Sequence, residues 1–193
     1  MPRAVGPVAP RFLDPILAIV ERIDRTVRRI TPIGPDAALG LERHRHRGST
    51  VTLADGTVVH DGDPAWIIHF DNARIRQLAR TAWAGGAWRV ALRDMHRLAQ
   101  LHLALPPDQR PVAYTGITVL APLTRRAGFE VRDRPRTPGV LLEDWYLRST
   151  LARWARAGRA RLARGHHPLR TQVVWLSAGE LLRRYGPSPP PPE

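Results

Sequence analysis

The sequence contains no cysteine and no lysine. Without thiols the chain has no disulfide, thiolate metal site, iron–sulfur cluster or cysteine nucleophile, so the fold rests on packing alone. Without lysine, all 30 basic side chains are arginines, a pattern that, with the abundant Pro, Ala and Gly, also fits the codon bias of a GC-rich genome. Long apolar runs are missing too. No stretch approaches the ~18–20 residues that span a bilayer, and the opening MPRAVGPVAP holds no run long enough for a signal-peptide core. These absences predict a soluble or peripheral protein, with the cytoplasm as the default compartment. No two histidines stand four apart, so neither an HExxH nor an HxxxH metal motif exists.

What is present is a chain of 193 residues with 43% hydrophobic content, enough to bury a core in one domain. The formal net charge of +13 invites phosphate polyanions or an anionic membrane as partner. Residues 1–10 and 187–193 are Pro-rich and are expected to be disordered, which leaves a domain over 11–186.

Asp14 and Pro15 suit the N-cap and first position of a helix. The spacing of Phe12, Ile16, Ile19, Val20, Ile23, Val27 and Ile30 predicts one apolar stripe along it. RGSTVTLADGTVVHDGDPAWIIHF then reads as a hairpin turning at Asp55-Gly56 in a two-residue loop, with a second turn at Asp61 to Pro64 and a strand from Trp66 to Phe70. Helices are expected over Asn72 to Trp83, broken by Gly85-Gly86, and over about Ala87 to Leu105, which Pro106-Pro107 ends. RPVAYTGITVL, GFEVRD and TQVVWL read as strands, Pro122 to Ala127 as a short helix, and Val140 to Arg164 as a long basic one. Ser177 and Glu180 have the spacing of a capping box for a last helix. The class is α+β, a mixed sheet with an N-terminal hairpin region and flanking helices.

Four constellations bear on chemistry. His44, His46, His60, Asp61, Asp63, His69 and Asp71 crowd together, but their spacing suits solvated loops better than a tetrahedral site, and neither metal nor cofactor is expected. WIIHFDN places His69, Asp71 and Asn72 at a strand–helix junction. The bland reading makes Asp71 or Asn72 a helix N-cap and His69 a satisfied core histidine; the sharper one makes His69 a general acid or base. Arg125 and Arg126 beside Gly128 fit a helix C-terminus and could hold an anion. In EDWYLRSTLARWARAGRARLARGHH, Trp145 and Trp154 share a stripe flanked by Arg153, Arg156, Arg159 and Arg161, which suits either an anionic lipid interface or a core helix with a solvated face.

LDPILAIVERIDR, RHRGSTVTLADGTVVHDGD, IIHFDNARIRQL, GITVLAPLTRRAGFEV and VVWLSAGELLRRYG, in that order, resemble the YkoP-like domain of bacteria. The resemblance implies a setting in cell-envelope polysaccharide metabolism, since such domains occur alone or beside polysaccharide deacetylase and glycosyltransferase modules. It carries over Asp14, Asp55, Gly56, His69, Asn72, Gly116, Arg126, Gly128, Glu130 and Ser177. IIHFDN is similar to the paired-Asp motif of the deacetylases themselves but has Asn72 for the second Asp, so the chain is not expected to be a deacetylase. Three functions stay open: an accessory module that binds an envelope polysaccharide enzyme, an anionic lipid or a glycan carrier at the inner membrane face; a group-transfer or hydrolytic enzyme using His69; and a nucleic-acid-binding protein.

Overall fold

A computed structural model describes residues 26–71, 74, 84–154 and 170–187, the side chains of 84–87 and 148–154 excepted. The expected helix after Asp14, the helix after Asn72, the Arg-rich stretch beyond Trp154 and both Pro-rich ends, save Pro187, lie outside the described residues. Thr26 and Val27 are helical, and Arg74 is as well.

Among the described residues eight strands form two sheets. β1 (Thr31–Pro32), β2 (Leu39–Glu42), β5 (Ala65–Phe70), β6 (Ala113–Thr118), β7 (Glu130–Arg132) and β8 (Gln172–Ser177) make a six-stranded sheet in the order β1-β2-β5-β6-β8-β7. β3 (Val51–Thr52) and β4 (Val58–Val59) form a separate hairpin. Neighbours are antiparallel except β5 and β6, which run parallel. A parallel pair needs a long crossover, and the segment that supplies it contains α1 (Ala84–Ala104). The other helices are α2 (Ala121–Arg126), α3 (Pro138–Trp154) and α4 (Ala178–Tyr185).

Alternation along the strands gives the sheet two unlike faces. Leu39, Leu41, Trp66, Tyr114, Val174 and Leu176 fill the first and are buried against Met95, Leu98 and Ala99 of α1 and Leu181 and Tyr185 of α4. Ala65, Ala113 and Trp175 on the second face are covered by Leu53 and Val59 of the hairpin. The class is thus α+β with a mixed sheet, as expected.

β1 and β2 were not legible in the sequence. LGLE is four residues with a glycine and no β-branched side chain, so its strand state is imposed by pairing with β5. α1 also departs from expectation, because Gly85 and Gly86 lie inside its first turn. The first-turn N–H groups have no intrahelical partner in any case, and the apolar face of Trp88, Leu92, Met95 and Leu98 holds the helix to the core. At the hairpin, Leu53 pairs with Thr57 and Gly56 N donates to Leu53 O at 3.0 Å, giving a three-residue loop with Gly56 at φ 85°. That is a type I turn followed by a left-handed residue, not a two-residue loop. The end of α2 is as expected: Gly128 at φ 89° donates to Arg125 O and Phe129 N to Thr124 O, a Schellman closure.

A charged clasp fixes the segment before β2. The wholly buried Asp94 carboxylate on α1 accepts from Ala38 N at 2.6 Å, while Arg93 and Arg97 bridge it to Asp36. Removing that carboxylate leaves the buried Ala38 N–H unpaired and takes from Arg93 and Arg97 one of the two carboxylates they meet. Asp94→Ala is expected to cost about 3 kcal/mol, read as a lower urea midpoint at unchanged m-value; a shift below about 1 kcal/mol would show that the clasp does not hold β2.

Candidate functional site

At the strand–helix junction after β5, Asp71 and His69 have different tasks. Asp71 donates its N–H to Ala38 O at 2.7 Å and its Oδ1 accepts from Arg74 N at 2.9 Å, the N-cap geometry. His69 lies on the second face, where its Nε2 hydrogen-bonds Glu42 Oε2 at 2.8 Å. Glu42 stands diagonally across the β2–β5 pair and also meets Arg28 at 3.5 Å. A carboxylate at that distance fixes the tautomer and orientation of an imidazole. Asn72 lies outside the described residues.

Arg125 and Arg126 occupy the last turn of α2. Arg126 lies 5.3 Å over the Trp88 ring, and Trp88 packs on the first-face core. His69 and Arg126 therefore sit on opposite faces of the sheet, and the structure does not bring them together. Trp145 is half-buried on α3, next to the buried Asp144, whose Oδ1 accepts from Thr171 N at 2.7 Å and from the Thr171 hydroxyl. The backbone of Arg153 and Trp154 is helical; Arg156, Arg159 and Arg161 fall outside the description.

The histidine- and aspartate-rich loops are spent on local order. His46 meets Ser49 O at 2.8 Å and packs edge-on against Trp175; Asp61 accepts from Gly48 N, and Asp63 from His60 N. Among the described residues no three His, Asp or Glu side chains are grouped to hold a metal ion.

Residues brought over by the family resemblance converge elsewhere, at the hairpin tip. Ser177 caps α4 by accepting from Glu180 N at 2.9 Å and donates its hydroxyl to Asp55 Oδ2. Glu130 accepts from Ala54 N at 2.8 Å, and Arg132, held by Glu130 at 2.7 Å, donates to Thr52 O. The capping box is half realised: the Glu180 carboxylate turns to Arg183 and Arg184 instead of back to the strand. Hydrogen bonds from Arg183 chiefly, against burial and with help from Arg184, hold Glu180 at about 2. Burial pushes the Asp55 carboxyl up, but the bonds from Ser177 and Thr57 outweigh it, and the group rests below its ordinary range. Asp55, Gly56, Glu130 and Ser177 thus form a lock that seats the hairpin.

Two further buried groups face each other between α1 and β6. His102 Nδ1 hydrogen-bonds the wholly buried Tyr114 hydroxyl at 3.0 Å. Burial, then the nearby Arg110, lowers the His102 pKa, and burial raises that of Tyr114. Their place on an apolar helical stripe and in an apolar strand gave the only signal.

The class defined by this geometry is a mixed-sheet α+β domain whose polar residues mostly serve its own architecture. A family model, the YkoP domain, matches residues 11–185, and the chain belongs to that family. No curated protein and no solved structure matches the chain.

Two outcomes follow. Ser177→Ala is expected to destabilise the fold by about 1–2 kcal/mol, and in a double-mutant cycle with Asp55→Ala the two losses should fall short of additive; strict additivity would mean that the lock carries no coupling. His102 binds its proton less readily folded than unfolded, so its stability contribution is complete above its ordinary 6.5 and is lost as pH falls below it. His102→Leu should therefore flatten the decline in Tm between about pH 7 and 5 relative to the parent protein. An unchanged slope would assign that decline to other groups.

Proposed function

We propose that the chain is a non-enzymatic accessory module that docks on an anionic lipid surface, in the setting of envelope polysaccharide metabolism that the family resemblance suggests. The observation that carries this reading is an apolar patch on α3. Leu141 and Leu142 are 45% and 66% exposed, and Trp145 lies four and three positions on, over the same side of the helix. The chain beyond this helix is the arginine-rich stretch containing Arg156, Arg159 and Arg161. Exposed apolar side chains followed in the sequence by clustered arginines suit the headgroup boundary, where the former would bury area and the latter meet lipid phosphate. The proposed association is peripheral; among the described residues no helix is long and apolar enough to cross a membrane.

A second reading, group transfer or hydrolysis through His69, draws on its hydrogen bond to Glu42. The arginine expected to work with it, Arg126, is instead engaged with Trp88 across the sheet.

Cosedimentation with phosphatidylglycerol-containing vesicles tests the lipid reading. Leu141→Ser with Leu142→Ser should lower the partition coefficient about tenfold or more, and neutralising Arg156, Arg159 and Arg161 together should abolish binding at low salt. Equal binding by all these variants and the parent protein would exclude the α3 patch as the membrane contact.

A further inference from the structure

A different part of the surface is built to receive an extended chain. β2 does not stop in space at Glu42. Arg45 bridges Pro64 in the same register as the β2–β5 ladder, Ala65 N donates to His44 O, His46 N to Asp63 O, and Gly62 N to His46 O. Residues 43–47, the sequence Arg-His-Arg-His-Arg, therefore continue the strand. Alternation gives its histidines and arginines opposite roles. His44 and His46 spend their backbone groups on the β5 side and are half-buried, whereas Arg43, Arg45 and Arg47 turn theirs to the other edge and are exposed.

Among the described residues that edge carries no strand beyond Leu41: β1 pairs with β2 at Gly40 and Leu41, and Ile33 N donates to Leu39 O. Upstream, Arg29 adopts φ 52°, the left-handed conformation rare for a side-chain-bearing residue, and its N–H closes a turn onto Thr26 O. The β1–β2 ladder thus ends at Thr31 and Leu41, and the turn at Arg29 interrupts the extended chain at the level of Arg43. Among the described residues nothing pairs with the backbone groups of Arg43, Arg45 and Arg47.

Their side chains share the face of Leu41 and are held without being consumed. Arg43 lies 5.2 Å over the Trp66 ring, Arg45 Nη1 donates to Gly62 O at 2.8 Å, and Arg47 stands 3.9 Å from the exposed Asp61, which offsets part of its charge. Each keeps N–H groups of its fork for a carboxylate. We infer that residues 43–47 form a strand-addition site for an acidic peptide of a partner protein. Such a peptide would pair with the free edge while carboxylates at alternate positions stand opposite Arg43, Arg45 and Arg47. Alternate residues of both strands repeat at about 6.7 Å, so one register aligns all three pairs. A second copy of this edge is disfavoured, since it would set arginine against arginine. Single-stranded nucleic acid matches the charge but not the surroundings: Trp66 and Trp175, the rings nearest the ladder, are each 6% exposed and offer no stacking surface.

The test uses the full chain and a labelled nine-residue peptide alternating Glu and Thr, followed by fluorescence anisotropy. Arg43→Gln, Arg45→Gln and Arg47→Gln together should weaken binding about tenfold. On the unaltered protein, N-methylation of the peptide at alternate residues, tested in both phases, should weaken it as much in one phase only. Equal affinity for the methylated peptides, or equal or tighter binding of an oligothymidylate with the same arginine dependence, would reduce the ladder to a charge patch and overturn strand addition. Unchanged peptide affinity in a folded triple variant that now self-associates would leave the arginines as guards of the edge, and also overturn it. None of these outcomes touches the vesicle result, which depends on α3.

Discussion

Side-chain alternation in β5 decides what can meet what in this protein. Trp66 and Ile68 point to the helices, Ile67 and His69 to the opposite face, and a shift of one residue would exchange the two sets. The parallel pairing of β5 with β6 and the antiparallel pairing with β2 transmit the same parity to both neighbours. From it follow the placement of Tyr114 against His102, of Glu42 against His69, and of the hairpin against Trp175. It also separates His69 from Arg126 by the thickness of the sheet.

Much of this order was legible. The strands Trp66 to Phe70, TQVVWL and the first part of RPVAYTGITVL announce themselves by β-branched and aromatic content, and Gly128 and Ser177 announce helix ends by residue type. What could not be read was whatever depends on distant partners. β2 is a strand because β5 lies beside it, and Asp94 looks like a polar interruption of a helix until Ala38 is placed against it. At the candidate site, the sequence offered Asp71 or Asn72 as the cap and the structure shows Asp71 in that role, whereas Glu42, the partner of His69, lies 27 positions away. His46 and Asp63 suggested ligands by type and proved to be loop fasteners, because histidine and aspartate are as apt for local backbone hydrogen bonds as for metals.

The arginines divide by what restrains them. Arg93 and Arg97 are bound into a carboxylate cluster, Arg126 into a stack on Trp88, and Arg183 and Arg184 onto Glu180. Set against Asp36, Asp94 and Glu180, these arginines are invested in local order and account for little of the net charge of +13. The guanidinium fork suits this use, since it meets carboxylates in its plane and aromatic rings on its face.

The hairpin lock has a temporal side. Asp55 and Ser177 are 122 positions apart, so their bond can form only once both β6 and β8 have taken their places, and the closure entropy of that long loop has already been met by the sheet. The hairpin is then a late passenger on a finished platform. Its amides are therefore expected to open toward solvent more readily than those of the six-stranded sheet.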